Sequence, residues 1–326
     1  MDNLNGYKAF EPGMICKGKQ YQENTEYEEE GGKIRGNGMM HYCVNPFDVL
    51  NFYPLVNNSG KVSDFAAVKA LEKPVEGDNG KFATRKLHIG VKLGLPGFVK
   101  ACIDYLKEET IEKAPNSTGN SGDYAQIGSS GYSAQIGSSG YYAKIGNSGD
   151  SAQIGSSGDY AKIGNSGYSA KIGSSGYYAK IGSSGYSAQI GSSGDSAQIG
   201  SSGYYAQIGS SGDSAKIGSS GDSAKIGSSG DYAKIGSSGD YAKIGSSGDY
   251  AKIESSGEDS VICSSGAESV IKAKLGSWIT LAEWKYSDEK NRMVPQFVKT
   301  EFVDGEKIKA DTWYKLIGGE FTEVSP

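Results

Sequence analysis

The chain has few of the side chains that most often carry chemistry. Its 326 residues include only two histidines, His41 and His88, and four cysteines, Cys16, Cys43, Cys102 and Cys263. The cysteines follow no framework spacing, which fits reduced thiols inside a cell and not a disulfide scaffold. No Cys-x-x-Cys pair is present, so the usual structural zinc site has no ligand frame. No apolar run approaches the roughly eighteen residues of a membrane span, and the opening Met1-Asp2-Asn3-Leu4-Asn5 lacks a charged and then apolar leader. Charge of one sign is missing too. The net charge is −5 overall, and nine Asp and nine Lys cancel between Gly119 and Ile253. A nucleic-acid-binding surface would be basic, so no nucleic-acid partner is expected. Thr is absent from the same stretch, which removes the flat threonine array that ice binding would need.

What is present there is a repeat. From Ala125 to Ile253 one nine-residue unit recurs fifteen times: Gly, Asp or Tyr, Tyr or Ser, Ala, Gln or Lys, Ile, Gly, Ser or Asn, Ser. Ala and Ile fall at i and i+2 with a long polar side chain between them, which is strand spacing with the apolar pair on one face. The Gly-Ser-Ser-Gly stretch has turn composition, Gly permitting positive φ and Ser bonding local backbone. Burying one Ala and one Ile contributes roughly 2–4 kcal/mol, less than the cost of ordering nine residues. A single unit therefore cannot fold alone, and the pattern predicts a stacked β-solenoid.

The residue before each Ala reads Tyr124, Ser133, Tyr142, Ser151, Tyr160, Ser169, Tyr178, Ser187, a period of eighteen. Duplication of an eighteen-residue segment would leave the same trace, but two units per coil also place Ile against Ile across a thin core. That arrangement stacks Tyr124, Tyr142, Tyr160 and Tyr178 as a ladder, with Ser opposite. The alternation breaks over Ser196, Tyr205, Ser214 and Ser223 and ends as Tyr232, Tyr241 and Tyr250. Tyr124, Tyr142, Tyr160, Tyr178, Tyr232 and Tyr250 form the candidate interaction surface, for a protein partner or for self-association. Packing of Tyr on Tyr for stability alone is the competing reading. With two degenerate units added, about eight coils spanning roughly 40 Å are expected. A calcium roll needs Asp in every unit, whereas Tyr132, Tyr141 and Tyr168 are among six that replace it, so no calcium array is expected.

The flanks differ in composition. Residues 1–114 read as a small α+β domain, 115–271 as the solenoid and 272–326 as a C-terminal antiparallel β cap. Met39–Cys43 reads as a strand, and Asn45-Pro46 as a helix start over Phe47–Tyr53. Strand character follows at Asp64–Lys73 and Ala83–Val91, and helical spacing at Pro96–Glu109. Ala114-Pro115-Asn116-Ser117 reads as a hinge. Beyond Ile253, Val261 and Val270 replace the outward Gln or Lys, which suggests that the last coils are covered. Val303-Asp304-Gly305-Glu306 and Ile317-Gly318-Gly319-Glu320 are hairpin signals. A solenoid end is an open sheet edge, so the cap would close one end and the N-terminal domain the other.

Chemistry-bearing clusters are sparse. His41 and Cys43 alternate on one strand and with Cys16 or His88 could surround a metal or activate a thiol. Buried Cys and a satisfied His are the simpler reading. Glu26, Glu28, Glu29 and Glu30 read as a solvated turn. Lys92-Leu93-Gly94-Leu95-Pro96-Gly97 lacks the Lys-Ser/Thr ending of a phosphate loop. No catalytic, cofactor or metal residue is assigned.

Gly6-Tyr7-Lys8-Ala9-Phe10, Cys16-Lys17-Gly18-Lys19-Gln20-Tyr21 and His41-Tyr42-Cys43-Val44-Asn45-Pro46-Phe47-Asp48-Val49-Leu50 resemble a family of bacterial and bacteriophage proteins with no assigned activity. Leu275-Gly276-Ser277-Trp278-Ile279 and Asp311-Thr312-Trp313-Tyr314 extend the resemblance to the far end. Members place a variable number of short Gly/Ser/Ala repeats between two such ends. The strand-then-Asn-Pro-helix element is also loosely similar to ADP-ribosyltransferase-like folds, without their Arg, Ser-Thr-Ser and Glu pattern. The expectation is a non-enzymatic structural or interaction protein, a rigid spacer or display surface. Its setting would be the cytoplasm of a bacterial or phage-infected cell, or a virion. The alternative is an N-terminal domain that binds a small ligand or acts as an enzyme, with the solenoid as handle or self-association module.

Overall fold

The computed structural model describes residues 4–30, 38–57, 60–78, 80–110 and 119–325; the hinge expected at 114–117 lies outside them. The chain is mainly β, with a solenoid of about nine turns over residues 126–281, one more than the repeat count suggested. Strands pair parallel and in register eighteen residues apart, as in Lys144↔Lys162, Ile145↔Ile163 and Gly146↔Gly164. Two units therefore make one coil. Alternate units build two sheets facing one another across a thin core, each reaching eleven strands with those of the C-terminal region. Ile127 to Ile271 fill that core from both sides, buried throughout, and the repeat Ala residues from Ala143 to Ala251 are buried at the corners.

The glycine that opens each unit serves a purpose other than positive φ. A Cβ on Gly158 would lie 2.0 Å from the carbonyl oxygen of Gly140, one coil earlier. Successive coils touch backbone to backbone there, and only a residue without a side chain permits it.

The parallel stack ends on both sheets by a change of direction. Trp278–Ser287 pairs parallel with Val261–Ser264 and then antiparallel with Arg292–Phe302. On the other sheet Tyr314–Ile317 pairs antiparallel at Ile271↔Tyr314 and turns into Glu320–Glu323. Gly318 and Gly319 make that turn with φ of 61° and 78°, as the hairpin signal predicted. The Asp304-Gly305 signal is not a hairpin: Asp304 Oδ1 accepts from the amides of Glu306, Lys307 and Ile308 and shapes a loop. Ile279, Leu281, Ile308, Tyr314 and Leu316 close the end of the isoleucine core. Val270 is covered, but Val261 is half exposed.

The N-terminal region is an antiparallel sheet of β4 (Thr25–Glu28), β9 (Lys86–Lys92), β6 (Asp64–Ala70), β1 (Asn5–Phe10), β5 (Met40–Cys43), β8 (Lys81–Thr84) and β7 (Val75–Glu76), in that order. A hairpin of β2 (Ile15–Cys16) and β3 (Lys19–Gln20) stands beside it. The Asn45-Pro46 start gives a 3₁₀ helix, Pro46–Asn51, with the Asn45 side chain accepting from the Phe47 amide. The second helix, α1, runs Gly94–Thr110. The first part of the acidic run, Glu26 and Glu28, lies on the edge strand β4 and not in a turn; Glu28 pairs with Lys86 at 3.0 Å, and Glu29, just past the strand, with Lys19 at 2.5 Å. Lys92 to Gly97 is the joint between β9 and α1.

The domain does not cap the far end of the solenoid, contrary to expectation. It lies along one solenoid sheet, with α1 between its own sheet and the repeats. Phe98 stacks on Phe65 of β6 at 3.8 Å. On its opposite side α1 packs over the outward glycines, so that a Cβ on Gly164 would come within 2.8 Å of Leu106 and one on Gly200 within 3.2 Å of Val99. The reason is the repeat itself: a Gly in every strand leaves a straight furrow, which the Leu95–Val99–Ile103–Leu106 ridge fills. We refer to this as the docked sheet and to its counterpart as the open sheet.

Candidate functional site

All six predicted tyrosines fall on one edge of the solenoid. Ring centroids are 5.1 Å apart for Tyr124–Tyr142, 5.0 Å for Tyr142–Tyr160 and 5.1 Å for Tyr160–Tyr178. The spacing follows from the inter-strand distance of about 4.8 Å, which sets rings in offset stacks. Ser196 and Ser214 interrupt the column, and Tyr232–Tyr250 resume it at 4.9 Å. The tyrosines are stacked and accessible together, from 41% exposed at Tyr160 to 69% at Tyr124.

The left-handed backbone falls on these residues, with φ between 56° at Tyr178 and 59° at Tyr124. Bulky side chains seldom adopt it. Here it turns each amide toward the next coil, where Tyr124 donates to the Tyr141 carbonyl at 2.7 Å and Tyr160 to that of Tyr177 at 2.8 Å. The unit's Asp extends the same ladder. Asp159 Oδ1 accepts from the Tyr177 amide at 2.8 Å, and Asp213 Oδ1 from the Asp231 amide at 2.8 Å. These carboxylates are engaged with backbone amides of the next coil, a structural use of the Asp position.

The opposite edge is not simply serine. Tyr168, Tyr186 and Tyr204 stack at 5.1 and 5.6 Å, and Tyr205 meets Tyr204 edge-on at 4.6 Å. Tracking only the residue before Ala hid this second column; the position before it carries the same eighteen-residue spacing.

The two sheets present different outer surfaces. On the docked sheet the outward Lys and Gln hold the N-terminal domain: Lys162 meets Asp48 at 2.6 Å, Lys180 donates to the Phe47 carbonyl and Asn51 Oδ1, and Gln198 Oε1 accepts from the Leu55 amide. Burial lowers the Lys180 ammonium to about 8, with neighbouring Lys162 adding to the effect. On the open sheet Lys171, Lys225 and Lys243 have no acidic partner among the described residues, and the glycine furrow is bare from Gly137 to Gly245.

Of the candidate cysteines and histidines, His88 stands apart from the rest. His88 lies on β9, three strands from Cys43 on β5, about 14 Å at the inter-strand spacing. Burial, and next the Asp48 carboxylate, push the Cys43 thiol up to about 12, the opposite of a reactive cysteine. Cys102, on α1 itself, is buried, and burial raises its thiol well above the usual cysteine value. Among the described residues no group of three or more His, Cys, Asp or Glu is placed to hold a metal ion, and no helix is long and apolar enough to cross a membrane. The structure does bring Cys16, His41 and Cys43 to one crevice of about 360 Å³, beside Lys8 and Tyr53.

The geometry thus defines a capped β-solenoid with an α+β domain seated on one face. Residues 4–101 match a family described as a domain of unknown function, DUF7666. No curated protein and no solved structure matches the chain.

Proposed function

We propose that this is a non-enzymatic structural or interaction protein whose solenoid serves as a rigid spacer and display surface. The tyrosine column carries the reading: six of its positions present stacked, half-exposed rings in a straight row. Ordered, low-entropy aromatic rows suit a protein partner or a second copy. In-register coils make the row stiff, and the seven coil-to-coil steps from Tyr124 to Tyr250 extend it to about 34 Å. The resemblance of both ends to bacterial and bacteriophage proteins supports a setting in an infected cell or on a particle. Light scattering with negative-stain microscopy tests the proposal. The full chain should form ordered assemblies or capture a partner through this edge. Replacing Tyr124, Tyr142, Tyr160 and Tyr178 with Ser should abolish that and leave a folded monomer. An assembly unchanged by the quadruple variant would overturn the assignment of the interface to the tyrosines.

A further inference from the structure

The N-terminal sheet is split at its centre. β1 pairs with β6 along its whole length, from Asn5↔Lys69 to Phe10↔Asp64, but touches β5 at Tyr7↔Cys43 alone. Beyond that point the two strands part, and the crevice of about 360 Å³ opens between them. The volume lies at the lower end of those that hold small organic ligands.

Lys8 enters the split. Its side chain is buried, and its ammonium donates to the His41 carbonyl at 2.9 Å. Its other neighbours include the sulfurs of Cys16 and Cys43, the ammonium of Lys17, and the rings of Phe10 and Tyr21, 5.5 and 5.8 Å away. No carboxylate pairs with it among the described residues, and none lines the crevice. The other buried lysines are compensated, Lys272 by Glu254 at 2.9 Å and Lys180 by Phe47 and Asn51 next to Asp48, as is half-buried Lys162 by Asp48 at 2.6 Å. A buried ammonium without a counter-ion destabilises the fold that holds it, and burial lowers its proton affinity accordingly. Apolar packing at this site would be more stable.

Two more lysines face the same space. Lys17 sits at the tip of the β2–β3 hairpin, where Lys17 and Gly18 turn with φ of 51° and 78°. Tyr53 donates its hydroxyl to Cys16 Sγ at 3.2 Å and fixes that hairpin over the opening. Lys81 lies over the Phe52 ring at 5.2 Å. Tyr7, Phe52 and Tyr53 also line the crevice.

We propose that this crevice binds a small aromatic carboxylate, its anionic end on the Lys8 ammonium and its ring between Tyr7, Phe52 and Tyr53, with Lys17 and Lys81 drawing it in. The site is independent of the role of the solenoid.

Benzoate, benzyl alcohol and benzylamine form a series of one shape and three charges. Each is titrated into the isotope-labelled full-length chain, and the amide shifts of β1, β5 and the Cys16 turn are followed. Benzoate should give saturable shifts there, and the neutral and cationic analogues should bind roughly tenfold or more weakly. Lys8→Met should remove benzoate binding while the melting temperature holds or rises. The double variant Lys17→Met with Lys81→Met, which leaves the buried group in place, should weaken binding several-fold. Equal binding of all three analogues, an absence of saturable shifts with benzoate, or undiminished benzoate binding to Lys8→Met would each overturn the proposal. If Lys8→Met does not fold, the charge series on the unaltered chain decides alone.

Discussion

The docked and open sheets are built from the same nine residues, yet one is an interior surface and the other faces solvent. On the docked side Gly164 is under Leu106 and Ile103, whereas the nearest atom to a Cβ on Gly173 of the open side is a carbonyl 4.0 Å away. Lys162 and Lys180 are interface groups, while Lys171 and Lys225 are solvated. A repeat therefore does not determine its own environment. The neighbour does, and here the neighbour is the chain's first hundred residues.

The corners are where the comparison should fail, because close approach of coils is common to both edges. Gly176→Ala and Gly167→Ala, whose new Cβ would stand 2.0 and 1.9 Å from a carbonyl oxygen, should each cost more than about 4 kcal/mol in urea denaturation. Loss on one edge alone would break the symmetry argued here. Across the faces the outcomes should diverge. Gly164→Val overpacks the α1 furrow and should cost about 2–3 kcal/mol. Gly173→Val should lie within about 1 kcal/mol of the original, with relief of glycine entropy pulling toward stability.

Lys180 sharpens the contrast through pH. Its folded pKa of about 8 is below the usual lysine value of 10.5, so the folded chain releases a proton that the unfolded chain keeps. The Lys180 contribution to stability should rise between those two values, by up to about 3 kcal/mol, because the unfolded state binds more protons there. The groups around it are Lys162, Asp48, Cys102 and Cys43. Lowered Lys8 acts in the same direction and the raised Cys43 and Cys102 thiols act against it, so the Lys180 part is read as the difference between the denaturation curves of the original chain and Lys180→Met, which should grow from pH 8 to 10.5. The same substitution at Lys171 on the open sheet should leave the pH profile unaltered.

The smallest effect should come from the edges. Tyr142 stacks on rings above and below, so Tyr142→Ser should cost about 1 kcal/mol. Tyr241, with no ring partner among the described residues, should cost less than half of that when replaced, as thermal melts of the two variants would show.

The solenoid, its two units per coil and its C-terminal cap were legible because each rests on local periodicity. Ala and Ile spacing decides a strand, and the Tyr–Ser alternation decides the coil. The docking of α1 was not legible, since identical units on both faces carry no mark of which is covered. The left-handed backbone was expected on glycine and falls on Tyr, because inter-coil contact claims the glycine for its missing Cβ. Lys8 was invisible as a buried group. It alternates with Tyr7 and Ala9 in a strand, and only the splitting of β1 from β5 reveals its role. The Asp carboxylates became intelligible only once the amide of the next coil was in place.

The N-terminal domain reaches nearly the length of the stack, from α1 over the early coils to Gly60, which sits against the Trp313 ring of the C-terminal region. Together with the register of eighteen, this imposes parity on chain growth. Insertion of two units would lengthen the array and keep every downstream strand on its own face, while parting Gly60 from Trp313. Insertion of one unit would turn the whole C-terminal cap by half a coil, moving the Trp278–Phe302 hairpin to the side where the domain sits. Arrays of this design can change length in even steps; odd ones rebuild the molecule.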